Sequence, residues 1–442
     1  MNEHAARAWC TSYRAAWVLP VSAPPIRNGA VVVEGGRVAW VGGAGEEPAR
    51  FGARPVELGD AILGPGLVNA HSHLDLHALR GLLDGLPFFE WIRAIVAARA
   101  FLSPDDLATS ARAGVLEGLL SGITTFADTA PTGASFDALC GLGARGIAFL
   151  EAFGPDPAGA QAALKRTRAL VAGVRARETA LVRAGVSPHA PYSVSGALYA
   201  ALAGYARSEG LPLATHVAES EAESSFVRDG AGPFAEMLRR RAIETDTRAT
   251  SPVALIERSG ALGRNALLIH CVRCDARDIG VIAHSGAAVA TCPFSNRYFG
   301  HGTAPVADFL AAGVRVGIGT DSMASNKAMH LLAEASAAGF SGMEAQWAAA
   351  SLGGALALGL DREVGSLDPG KAADLAALAS PGAGASAVLP AGAGPGAVLV
   401  TVAGVERVRD GQFIGDSSTV TAQLESAVGR LSEWRTRNRA VD

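Results

Sequence analysis

Through the middle of the chain, short apolar runs rich in Val, Ile, Leu and Ala alternate with Ala-rich stretches of helical spacing. The apolar runs predict strands at 62–70, 124–128, 146–152, 182–188, 212–216, 266–270, 287–292 and 314–320. Helical spacing is plainest over 103–120 and 197–209. Short runs of β-formers separated by helices are βα units, and such units build parallel sheets. Eight units across residues 62–361 predict an α/β fold, a closed (β/α)8 TIM-type barrel rather than an open sheet.

The two ends break this rhythm. Residues 29–43, GAVVVEGGRVAWVGG, predict a hairpin turning at Gly35-Gly36. Residues 364–415 hold short strands with Gly and Pro turns and no helical period. We expect residues 1–61 and 362–416 to form one small β-sandwich domain built from both termini. The stretch 380–396, rich in Ala, Gly, Pro and Ser, predicts a loop. Helical spacing over 420–437 predicts a helical tail within 417–442, packed on the outside.

Composition narrows the function. Of 442 residues, 49% are hydrophobic and 18% charged, which excludes disorder as the main state. Lys+Arg 38 against Asp+Glu 42 gives a net charge of -4, so no nucleic-acid partner is expected. No apolar run is long enough for a membrane span, and the start MNEHAARAWCTSYRAAW has no signal-peptide core. Five cysteines, Cys10, Cys140, Cys271, Cys274 and Cys292, make no disulfide framework and predict a reducing compartment, the cytoplasm. What remains is a small-molecule partner, and a homodimer is compatible with the chain.

Polar residues gather at the predicted strand ends: His71-Ser72-His73, Ser187-Pro188-His189, His216 to Glu219, His270, and Thr320-Asp321. In a parallel barrel these ends share one mouth, where active sites form. Alternation along a strand predicts that His71 and His73 project the same way. With His216 and Asp321 they offer three nitrogens and one carboxylate, a set suited to Zn²⁺ or Fe²⁺ with a position open for water. Asp75 and His77, just beyond the pair, are read as residues supporting the ligands or lining the rim, or as purely structural. Cys271 and Cys274 form a lone CxxC and are expected to be ordinary packing or rim thiols.

The segments GLVNAHSHLDLHALRG, HVAE, the His270 strand and IGTDSMASN resemble the amidohydrolase superfamily. Within it they are most similar to the mononuclear aminohydrolase branch of nucleobase and nucleoside deaminases and triazine chlorohydrolases. The resemblance spans nearly the whole chain, and GSLDPGKAADLAAL matches the family's re-entry into its small β-domain.

The resemblance implies one metal, Zn²⁺ or Fe²⁺, on His71, His73, His216 and Asp321. Binuclear members hold a carboxylated lysine at the end of strand four, where this chain reads SPHAPY over 187–192. Its only lysines are Lys165, Lys327 and Lys371. By the same resemblance Glu219, His270 and Asp321 are catalytic. Glu219 donates to a ring nitrogen, Asp321 or His270 takes the water's proton, and ammonia leaves a purine nucleoside.

Substrate contacts are implied at His189, Glu219, Arg99, Trp91, Arg297 and Ser322. The segment LRGLLDGLPFFEWI is similar to deaminases of S-adenosylhomocysteine and 5'-methylthioadenosine, but Ala100 stands where those commonly place a ribose-binding Glu. Arg99, THVAESEAE, DGAGPF and CPFSNR look more like aminodeoxyfutalosine deaminases of menaquinone biosynthesis, which commonly carry Glu where this chain has Asp75. Arg99, Arg297 or Arg80 would grip that substrate's carboxylate. The expected substrate is therefore 6-amino-6-deoxyfutalosine, with S-adenosylhomocysteine or methylthioadenosine second, and guanine, cytosine or a triazine third.

Overall fold

The computed structural model describes residues 10–379 and 396–438. Most of the predicted loop over 380–396 thus lies outside the described residues, as does the chain's start.

Eight parallel strands form the barrel: Leu67–Ser72, Ile123–Ala130, Arg145–Ala152, Val182–Pro188, Leu213–Val217, Ala266–His270, Ala288–Thr291 and Arg315–Ile318. Each pairs with the next in sequence. Ring closure falls at the mouth, where the Thr320 and Asp321 N–H groups both donate to the His71 carbonyl at 3.0 and 3.1 Å. Between the strands run helices such as Pro104–Leu120, which opens on a capping box. Ser103 Oγ accepts from the Asp106 N–H and the Asp106 carboxylate accepts from the Ser103 N–H.

The period of two sorts side chains between two cores. Ile147 and Phe149 turn into the lumen with Ala127, Ala214, Leu267, Ile269 and Ala290. Ala148, Leu150 and Ala152 turn outward into the layer of helices.

The apolar run at 62–70 is not one strand. It divides at Gly66 into Ala61–Pro65, in a second sheet, and Leu67–Ser72, in the barrel. A Cβ at Gly66 would stand 2.2 Å from Thr124 Oγ1, so only glycine lets the chain cross between sheets there.

Among the described residues that second sheet has nine strands, drawn from both ends of the chain. Ala61–Pro65 lies between Cys10–Val18 and Leu375–Ala379, joining N-terminal to C-terminal strands. The hairpin of Ile26–Glu34 and Arg37–Gly43 turns on Gly35 and Gly36, with φ of 57° and 79°, as a tight two-residue turn requires. Arg145, at the start of the third barrel strand, ties the two parts together. Its Nε and Nη2 donate to both Asp374 oxygens at 2.8 and 3.1 Å, and both side chains are buried.

A final helix, Ser417–Asn438, lays Val420 against Ala113 and Leu116 of the helix Pro104–Leu120. Among the described residues no helix is long and apolar enough to cross a membrane.

Candidate metal centre and active site

Several strand ends bring most of the candidate residues to one place. His71 is the penultimate residue of the first barrel strand, His216 lies in the fifth, and His270 ends the sixth. Asp321 follows the eighth strand with φ 57°, and His270 has φ 74°. Such backbone is costly for a residue with a Cβ, and here it turns both side chains inward. His73 lies one residue past its strand, at the start of the short helix Leu74–Leu79. The first strand slips register between Asn69 and Ser72, so simple alternation does not by itself place the His pair.

The donor atoms nevertheless converge. His73 Nε2 stands 3.3 Å from His216 Nε2. Asp321 Oδ1 lies 3.4 Å from His71 Nε2 and 3.6 Å from His73 Nε2. Ligand atoms about 2.0–2.1 Å from a tetrahedral ion stand roughly 3.3–3.4 Å apart, so this spacing fits a zinc-sized ion. His71 is buried, and neither ring nitrogen is hydrogen-bonded among the described residues. Buried imidazoles normally find partners, and a metal would supply the missing one.

Charge states suit the same use. Burial, chiefly, pushes the His71, His73 and His216 imidazoles down, leaving them neutral with lone pairs free. Burial by itself would raise Asp321, but His71, His270 and His73 outweigh it and hold the carboxylate ionised. Ser295 Oγ donates to Asp321 Oδ2 at 2.5 Å and the Ser322 N–H donates to Oδ1 at 2.7 Å, so the carboxylate is firmly aimed. The His216 Nδ1 faces the His189 carbonyl at 3.1 Å, which leaves Nε2 turned toward the cluster.

Glu219 lies two residues past the fifth strand and is buried. Its Oε1 is 3.7 Å from His270 Nε2 and 3.6 Å from His301 Nε2. Burial raises its carboxyl, while His270 pulls the other way. His270 Nδ1 meets Asn296 Oδ1 at 2.9 Å, which turns Nε2 toward Glu219. His189 Nδ1 pairs with Ser193 Oγ at 2.6 Å, and burial pushes its imidazole down to about 3.

The remaining expected contacts divide. Trp91 Nε1 donates to the Ala324 carbonyl at 3.3 Å, and the Ser322 hydroxyl accepts from the Ala324 N–H at 3.0 Å. Arg99 is ion-paired with buried Asp75, its side chain 22% exposed, so it is a held cation rather than a loose one. Arg80 is bound to Glu117, which also meets His77 at 3.1 Å; this trio is a structural lock. Arg297 is exposed, its guanidinium over the Phe294 ring at 5.5 Å. The five cysteines are free.

Three residues near the site lie outside the set expected from the sequence: His301, Glu223 and Glu151. His301 sits between Glu219 and the rings of Phe88 and Phe299, placed by tertiary packing alone. Glu223 carries a local signal, since Ser220 and Glu223 have capping-box spacing before a helix. Glu151 continues the inward alternation of Ile147 and Phe149, a signal available in the sequence.

Residues 62–405 match the amidohydrolase family. The chain belongs to that family. It is 33% identical to a 5-methylthioadenosine/S-adenosylhomocysteine deaminase of Moorella thermoacetica, over 81% of this chain and 83% of that one. It is 34% identical to an aminodeoxyfutalosine deaminase of Deinococcus radiodurans, over 69% of this chain and 74% of that one. Among solved structures, a zinc-bound adenosine deaminase from Xanthomonas campestris superposes with a TM-score of 0.81. At 23% identity, covering 95% of this chain and 98% of that one, it speaks to the fold. This amidohydrolase is accordingly a hydrolase acting on C–N bonds, and its His-rich cluster suits a divalent metal ion.

Proposed function

We propose that this amidohydrolase is a metal-dependent hydrolytic deaminase of an adenine-bearing nucleoside, with one zinc ion held by His71, His73, His216 and Asp321. The carrying observation is Glu219, a buried carboxyl with raised pKa beside a cluster of neutral imidazoles and an ionised carboxylate. A bound Zn²⁺ supplies a water whose pKa falls to about 7.

The chain's residues then divide the proton work. If Nδ1–H of His270 donates to Asn296, its Nε2 offers a lone pair toward the reacting centre. His270 or the ionised Asp321 takes the proton from water. Glu219, whose carboxyl burial pushes up toward the protonated form, donates to the ring nitrogen beside the attacked carbon. The proton next passes to the departing amine, and ammonia leaves. In this reading His189 and Trp91 are the residues that take the ring, and Ser322 braces the loop that carries Asp321.

Two readings of the nucleoside's tail each rest on one observation. Arg99, held by Asp75 and partly exposed, favours a carboxylate-bearing substrate such as 6-amino-6-deoxyfutalosine. Similarity over 81% of the chain to the Moorella enzyme favours S-adenosylhomocysteine or methylthioadenosine. A panel of these nucleosides, followed by ammonia release and the adenine-to-hypoxanthine absorbance shift, separates them.

Glu219→Gln tests the site. Turnover should fall at least about 10²-fold, the usual worth of a positioned acid, while the protein retains its metal. Unchanged turnover removes Glu219 from the chemistry. About two metal equivalents per chain would contradict a single-ion centre.

A further inference from the structure

The third barrel strand ends in a carboxyl that the chemistry above does not use. Glu151 follows Ile147 and Phe149 on the inward face, so its side chain rises from the lumen into the mouth. It is 5% exposed, and its Oε1 is buried without a hydrogen-bond partner among the described residues. A carboxylate oxygen of Glu151 lies within 4.8 Å of ring nitrogens of His189 and His216. Leaving a buried polar atom unmet is costly, so such an atom beside the cluster of imidazoles points to a ligand.

A second metal ion does not account for it. His216 turns Nδ1 to the His189 carbonyl and Nε2 to His73, and His189 commits Nδ1 to Ser193. A site of Glu151, His189 and His216 would therefore need the His216 nitrogen already facing the main cluster.

The surroundings fit an organic ligand instead. Two residues on, Phe153 is 43% exposed and lies against the His189 ring at 4.7 Å. Glu151 and Phe153 thus flank His189 with one hydrogen-bonding group and one open aromatic face. Resting on the adenine-nucleoside reading, we propose that Glu151 binds the sugar hydroxyls of the nucleoside and so selects ribosides. A carboxyl suits this task because it can meet two neighbouring hydroxyls at once.

The test takes the first adenine nucleoside found to be turned over and its 2',3'-dideoxy analogue. The native enzyme should favour the riboside by roughly 10- to 100-fold in kcat/KM, the worth of one or two buried hydrogen bonds. Glu151→Ala should lose that preference by slowing on the riboside alone, with metal content unchanged. Glu151→Gln, which keeps an acceptor and gains a donor, should recover most of it.

Equal turnover of both sugars by the native enzyme overturns the proposal, and this needs no variant to fold. So does an equal loss on both sugars in Glu151→Gln, or loss of metal from it. If the native enzyme deaminates no adenine nucleoside, the functional reading falls and the hydroxyl proposal with it. Indifference to the sugar in an active deaminase sinks the hydroxyl proposal alone.

Discussion

Glu219 is placed by another carboxyl, and removing that carboxyl should disarm it. Glu223 is fully buried, and its two oxygens accept the N–H groups of Ala218 at 2.8 Å and Glu219 at 2.9 Å. Ala218 has φ 53°, a left-handed conformation that these bonds help to hold. In Glu223→Ala both N–H groups lose their partner inside the protein. At roughly 1–3 kcal/mol for each unsatisfied group, the folded state should lose about 2–6 kcal/mol.

The backbone can recover part of this by relaxing Ala218, which swings Glu219 away from His270. A displacement of ~1 Å at a reacting group typically costs about 10²-fold in rate. His216 has its own anchor, its N–H donating to the His189 carbonyl at 2.9 Å, so the metal should stay. The assay is kcat with metal content and the urea midpoint on one preparation. A lowered midpoint with kcat within about threefold of native, under 1 kcal/mol in barrier, would refute the claim that Glu223 positions Glu219.

Removing Asp374 strands the buried guanidinium of Arg145, whose other partner, Glu363, is largely exposed. Asp374→Ala should cost about 3–5 kcal/mol in urea unfolding against ~0–1 for Glu363→Ala; similar losses for both would show that the buried pair is not what ties the sheet to the barrel. Arg99→Leu should likewise destabilise by strandng buried Asp75, and it should depress turnover of a carboxylate-bearing nucleoside more than that of methylthioadenosine. Equal effects on the two substrates would remove Arg99 from recognition.

Stability should also vary with pH. Burial pushes Asp128 up to about 7, and Glu223 and Glu334 up to about 8. A carboxyl raised on folding stabilises fully below its unfolded pKa of about 4, and that contribution fades as pH climbs to its folded value. His301, pushed down to about 4 by burial, acts oppositely and matters only below its unfolded value of about 6.5. Metal-stripped protein should therefore unfold at lower urea at pH 8.5 than at pH 6.5; a rise across that window contradicts these shifts.

Much of this is legible in the sequence. Eight apolar runs with helical spacers specify parallel βα units, because strands buried on both faces leave no polar alternation. Parallel strands share one mouth, so His71, His189, His216, His270 and Asp321 could be assigned to a single end from strand ends alone.

Other features needed neighbours distant in sequence. The run 62–70 looks continuous, yet Thr124 crowds Gly66 and divides it between two sheets. Arg99 looks like a free grip for an anion until the fold sets Asp75 against it. His301 has no periodic or motif signal, and comes to Glu219 only because its loop packs beneath Phe88 and Phe299.

The division has a physical cause. Periodicity and turn chemistry are local, and they sufficed for element order, strand direction and the end of the barrel where the polar residues gather. Distances between donors, the partners of each ion and the burial that sets each proton are properties of side chains brought together across hundreds of residues. For this amidohydrolase, only the closed barrel decided that two imidazoles stand 3.3 Å apart and that a Glu151 oxygen is buried beside His189 and His216.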